Sequence, residues 1–327
     1  MLAITKYLHS RFNAAVALLV MLVGAWMAYS RAELLSVAGD KGFALPSAIE
    51  WFEWNHTLSF MANMAANMFV VGMMIWLNRR YSFIKALTLI YVSFYVFMQL
   101  STPVLLAQFY TGTALCVILL FCTCILFDCF AQRTPASMRK VFIVFFMLSA
   151  GIATQYVYAG YMAVFMIGCI QMRILSFRTF LAAGIGIATP WCIMIGSGLV
   201  QPAELHWPSF VSIFSAIDVA EAMALLVTVL FTVLLLFAGM TLTFFKVLTY
   251  NARRRSFNGF LTVLSVFTVV AMAVDYSNMV TYIPTLNVCA AFSAGHLFAV
   301  HNTEKSYIAI LSLYIVYLAL FAWKIVL

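Results

Sequence analysis

The chain is a succession of apolar runs, most of them about 20 residues long, and its charges are confined to the segments between the runs. Those segments alternate in sign. Lys6 and Arg11 precede the first run, and Arg79, Arg80 and Lys85 follow the second. Arg133, Arg139 and Lys140 follow the fourth, Arg173 and Arg178 the sixth, and Lys246 with Arg253, Arg254 and Arg255 the eighth. The intervening segments carry Glu33, Asp40, Glu50, Glu53, Glu204, Asp218, Glu221 and Asp275. Cytoplasmic loops of membrane proteins are enriched in Lys and Arg, so this alternation predicts both the number of crossings and their direction. Backbone groups inside lipid must be satisfied within the chain, which selects helices. The expected fold is therefore all-α, a polytopic transmembrane bundle of about eleven spans (ten to twelve) with its N-terminus inside. With that count, fifteen of the 18 Lys and Arg fall inside and eight of the 10 acids outside.

Composition agrees. The chain is 65% hydrophobic and 9% charged, with mean hydropathy +1.05, whereas a soluble domain carries about 25% charged residues. Residues 1–327 are expected to form one integral membrane domain with no separate soluble domain. The net charge of +8 does not predict nucleic acid as a partner, because the basic residues sit in short turns where they meet anionic lipid headgroups. The expected location is a bacterial inner membrane, with membrane lipids as partners. All seven cysteines lie in or beside apolar runs, so they predict neither a disulfide framework nor a metal site. The basic N-terminus followed by Ala14 to Ala28 has the form of a signal sequence but is expected to remain as the first span.

Three stretches are irregular. Val141 to Met172 lacks any charge and has basic residues at both ends, so it predicts two short spans meeting near Gln155 and Tyr158, or a re-entrant hairpin. The run Phe180 to Val200 holds Gly184, Gly186, Pro190, Gly196 and Gly198, which predicts close helix contacts and a kink. Gln201 to Glu221 reads in part as an interfacial amphipathic helix.

No nucleotide-binding loop, zinc-protease motif or hydrolase elbow is present. The candidates for chemistry are the outward acids and histidines. Glu50, Glu53 and His56 share one short aromatic segment and are the candidate catalytic residues. Arg31, Glu204, His206, Asp218, Glu221, Asp275 and His296 are candidate binding residues. No cofactor is evident, and a divalent metal is the candidate ion for such an acidic face. Asp218 and Glu221 are three apart, on one helix face before a long apolar run, where carboxylates serve either function or the helix dipole. Asp128 is expected to pair locally with Arg133. Asn287 and His296 are expected to bridge helices.

Ser176 to Trp191, with the Tyr156 to Met172 run before it, resembles an uncharacterised family of multi-span inner-membrane proteins from Bacteroidetes. The Asn78-Arg79-Arg80-Tyr81 turn and the Pro284 to His301 region are similar to that family as well. The resemblance implies topology and no activity. The layout also resembles polyprenyl-dependent glycosyltransferases, which implies work on a lipid-linked sugar at the outer face, with Glu50 or Glu53 as base or metal ligand. A secondary transporter or lipid-carrier flippase, and a non-catalytic scaffold of an envelope complex, are the alternative readings.

Overall fold

The computed structural model describes residues 10–31, 42–82, 84, 89–132, 134–200, 205, 219–300 and 304–326. Every regular element among them is helical. The helices are α1 (Arg11–Tyr29), α2 (His56–Tyr81), α3 (Ile90–Leu100), α4 (Val104–Ala107), α5 (Thr111–Phe127), α6 (Pro135–Thr154), α7 (Tyr158–Gln171), α8 (Phe177–Gly196), α9 (Val219–Leu248), α10 (Ala252–Val274), α11 (Met279–Val300) and α12 (Glu304–Val326). Among the described residues, eight of these are long and apolar enough to cross a membrane, and α3, α5 and α7 are shorter apolar helices. Their outer surfaces carry Phe180, Ile185 and Ile193 on α8 and Leu230, Leu234 and Phe245 on α9. An apolar exterior of this kind suits a membrane protein and not a water-facing one.

Local chemistry sets the helix ends. Asn55 accepts from the Leu58 N–H, Ser176 from Thr179 and Asn251 from Arg254, each capping a helix start. At α6, Thr134 and Ser137 form a reciprocal capping box and Pro135 takes the first position, where its missing N–H costs nothing. Arg173 ends α7 in the left-handed region (φ 59°), and the Ile174 N–H returns to the Cys169 carbonyl at 3.1 Å.

Helix α11 is the hub. It packs against α3, α5, α9 and α10, and 72% of its apolar window is buried, against 28–44% for the other long helices. All eleven residues of α3 are buried beside it. Small residues permit this closeness. A Cβ on Gly112 would lie 2.6 Å from the Thr281 carbonyl oxygen, and one on Gly295 would lie 2.6 Å from the Tyr91 Cβ. On the outer helix α8 the expected close contact is made at one glycine and not at others. Gly186 lies against the Phe142 carbonyl of α6, but a Cβ on Gly184 or Gly196 would meet open space.

Contacts between helix ends sort the bundle into two ends. At one, Tyr29 meets Thr57, the Phe109 N–H donates to Ser59, the Ala44 N–H donates to the Ala153 carbonyl, and Tyr156 meets Asp275. At the other, Arg80 meets Asp128, the Ala131 N–H donates to the Met172 carbonyl, and Arg253 lies over Tyr81. The charge-free stretch thus divides into α6 and α7, joined at Gln155–Val157, and α7 returns to the level where α6 began. The described charges at the first end include Glu50, Glu53 and Asp275. Those at the second include Arg80, Lys140 and Arg253, with Asp128 among them.

Candidate functional site

The acidic end holds one buried carboxylate. Helix α10 stops at Val274, and Asp275 caps it with φ −104° and ψ 63°, its N–H reaching the Ala271 carbonyl at 2.7 Å. A single 3-10 turn, Tyr276–Asn278, then leads into α11. Asp275 is 5% exposed. Its Oδ2 accepts from the Tyr156 hydroxyl at 2.7 Å and from the Tyr282 hydroxyl at 3.0 Å, and its Oδ1 accepts from the Asn278 amide at 3.0 Å. Asn278 also donates to the Tyr156 oxygen. Tyr156 comes from the α6–α7 link and Tyr282 from the second turn of α11, so the cluster joins three chain segments. Burial first, then the hydrogen bond to the Asp275 carboxylate, raises the Tyr156 phenol well above its ordinary range. Inward of Tyr282 lies the ring of Tyr161, 6.5 Å away, whose hydroxyl meets Thr268 at 3.1 Å.

The candidate catalytic residues lie elsewhere. Glu50 heads a 3-10 turn, where its carboxylate accepts the Ser47 N–H at 2.5 Å and its own N–H donates to Ser47 Oγ at 3.4 Å. That is a capping arrangement. Glu53 and His56 are exposed, His56 as the first residue of α2. Trp51 and Trp54 are exposed beside them, as expected of interfacial aromatics. Arg31 donates from its guanidinium to the Ile325 carbonyl and so ties the end of α1 to the end of α12.

His296 belongs to the opposite end. It is 4% exposed, with Nε2 at 3.4 Å from the Tyr250 hydroxyl. Twenty-one residues of chain separate it from Asp275, which is about 30 Å along a helix, so the two do not form one site. Glu204, His206 and Asp218 lie outside the described residues. Glu221 lies on α9, and its side chain is outside them too. Among the described residues, no three His, Cys, Asp or Glu side chains gather as metal ligands.

Two polar groupings escaped the sequence reading. The first is a seam through the middle of the bundle. Asn63 donates to the Leu105 carbonyl (2.8 Å), Asn67 to Asn63 Oδ1 (3.1 Å), Tyr95 to Asn67 Oδ1 (2.8 Å) and Asn287 to Gln99 Oε1 (3.0 Å). All of these side chains are at most 2% exposed. The expectation that Asn287 bridges helices holds, with Gln99 as its partner. The seam crosses the gap between α3 and α4, where Gln99 Nε2 and Thr102 Oγ1 have no hydrogen-bond partner among the described residues.

The second grouping surrounds Asp128 at the basic end. Arg80 donates to Asp128 Oδ1 from Nε (3.0 Å) and from an Nη (2.9 Å), Tyr81 donates to the same oxygen (2.7 Å), and Lys140 lies 3.8 Å from Oδ2. Burial opposes ionisation of Asp128, but the hydrogen bonds from Tyr81 and Arg80 and the charges of Arg80 and Lys140 outweigh it, and the carboxyl is held below its ordinary range. Its partners come from α2 and α6. Arg133, the neighbour expected from sequence, lies outside the described residues. Nearby, burial pushes the Cys129 thiol up to about 11, which leaves it unreactive. All seven cysteines are free, and only Cys192 is exposed.

Comparison with protein-family models, with curated proteins and with solved structures gives no match. The side chains alone therefore define the candidate site, with Asp275 at its centre.

Proposed function

We propose that the chain crosses a bacterial cytoplasmic membrane eleven times, N-terminus inside, and acts on a lipid-linked sugar or related lipid at its outer, acidic end. Asp275 carries this reading. It is a nearly buried carboxylate at a helix interruption, held by two phenols and an amide. An ionisable group kept at the edge of a membrane bundle is costly and is usually retained for function. In glycosyl transfer, Asp275 would take the proton of an acceptor hydroxyl. The acceptor oxygen would bond to the sugar's anomeric carbon as the bond to the lipid phosphate breaks, and the lipid phosphate would leave with those electrons. Tyr156, on a three-residue link, would move aside to admit the acceptor. Glu53 and His56 lack any comparable setting, and Glu50 serves a turn.

The test is a deletion strain complemented with wild type, Asp275→Asn, Glu53→Gln or His56→Gln. Membrane lipid extracts would be read by mass spectrometry, and protein level and monodispersity by size exclusion. The reading expects a lipid-linked sugar to accumulate in the deletion and with Asp275→Asn, and to clear with the other variants. Clearance by Asp275→Asn, or an unchanged extract in the deletion, would reject it.

A secondary transporter is the second reading. The break between α3 and α4 favours it, because it lies beside the unpartnered polar atoms of Gln99 and Thr102, and transporter sites use such interrupted helices near the membrane midplane. Under it, Gln99→Leu would abolish function and Asp275→Asn would not.

A further inference from the structure

At the basic end, the outer surface between α2 and α5 is grooved. The walls are Phe69, Gly72, Met73 and Trp76 from α2, with Phe121, Cys124 and Ile125 from α5, and the floor at the basic end is Asp128. The groove holds about 490 Å³. Phe69, Trp76 and Phe121 are 46%, 41% and 39% exposed, so it opens sideways, toward lipid rather than toward the bundle. Phe69 to Trp76 spans about 10 Å of helix, most of the ~15 Å depth of one leaflet.

The mouth of the groove is charged, and its charge is of one sign overall. Arg80 and Lys140 both face Asp128, and Arg253 stands over Tyr81 at 5.7 Å. Two cations thus face one carboxylate, with Arg253 beyond Tyr81. Arg80 uses two N–H bonds on Asp128 and lies over the Trp76 ring at 5.2 Å, which leaves further guanidinium N–H groups for another acceptor. The side chain is half exposed and accessible. An apolar slot that ends at a surplus of fixed positive charge matches a molecule with an acyl chain and a phosphate.

We propose that the α2–α5 groove binds one anionic glycerophospholipid, its chain against Gly72 and its phosphate on the Arg80 N–H groups that Asp128 does not use, drawn also by the Lys140 charge. Asp128 does not contact the phosphate; it holds the Arg80 guanidinium in place as a positioning residue. This site is independent of the Asp275 reading and lies at the other end of the bundle.

Gly72 makes the proposal testable. A Cβ there meets nothing within 4 Å, so the side chain of Gly72→Leu has room to start into the groove. The full chain, delipidated in detergent, would be titrated with dioleoyl phosphatidylglycerol or dioleoyl phosphatidylcholine and read by native mass spectrometry. Wild type is expected to retain one phosphatidylglycerol about tenfold more tightly than phosphatidylcholine, as one charge-assisted contact allows. Gly72→Leu should weaken both lipids, while Lys140→Gln should erase only the preference. Soluble glycerol phosphate should not compete. Equal retention of the two lipids, no effect of Gly72→Leu, or full competition by glycerol phosphate would each overturn the proposal. Lys140 lies 3.8 Å from its carboxylate, so its replacement tests the charge without breaking the shorter Arg80 bonds.

Discussion

The two ends of the bundle each hold a carboxylate and treat it in opposite ways. Asp128 keeps 26% of its side chain exposed and answers to Arg80 and Lys140, cations at the same end of the bundle. Asp275 is 5% exposed and accepts from two phenols and an amide. Charge pairing at a wet surface contributes little and is readily replaced. A buried carboxylate that several donors share is harder to lose, because each of those donors must find a new acceptor. The contrast separates an acid paired with cations at a half-exposed helix junction from one buried at the junction of α10 and α11.

The sharpest way to break the comparison is Asp275→Ala. It orphans three donors at once and is expected to lower stability by about 3 kcal/mol, read from thermal unfolding in detergent. Asp128→Ala, with its partners half in solvent, should cost no more than about 1 kcal/mol. Equal losses would remove the distinction. Asn67→Ala in the central seam is expected to fall between them at about 2 kcal/mol, since Tyr95 loses its acceptor in a buried setting.

Acid sharpens the difference at the basic end. The Asp128 carboxyl is held below its ordinary range, so its contribution is complete above about pH 4 and disappears as pH falls through the lowered value. Melting temperatures between about pH 6 and pH 2 should show this loss in wild type, and Asp128→Asn should lack that part of the slope. The smallest effect expected is that of Gly72→Leu on stability, within about 0.5 kcal/mol, because its side chain enters open space.

Much of the helix plan was readable from sequence. The apolar run Thr111 to Phe127 is α5 to the residue, and the division of 141–172 near Gln155 is where α6 gives way to α7. Other boundaries moved for local reasons. Asn251 caps α10, so that helix starts before its apolar run and takes Arg253 to Arg255 into its first turns. The run Ala86 to Leu106 is interrupted ahead of Pro103, which gives α3 and the short α4. Pairing was less legible. A helix that is apolar all round gives no sign of which face meets which neighbour. Hence nothing in the sequence joins Asn63, Asn67 and Gln99 into one seam, and nearness in sequence suggested Arg133 for Asp128 where the fold supplies Arg80. Asp275 was visible as a candidate. Tyr156, 119 residues away, was not marked as its partner because a tyrosine beside an apolar run carries no signal of its own.

The central position of α11 has a mechanical consequence. Bilayers differ in thickness, and helices in contact with lipid answer by tilting or by deforming the membrane. Here that load falls on the other long helices, of whose apolar windows 28–44% is buried, while α11 is sheathed by its neighbours. Asn278 and Tyr282, which hold Asp275, stand at the head of that sheathed rod. Asp275 itself caps α10, only 33% of whose apolar window is buried, so the cluster ties the sheathed rod to a helix that lipid can reach.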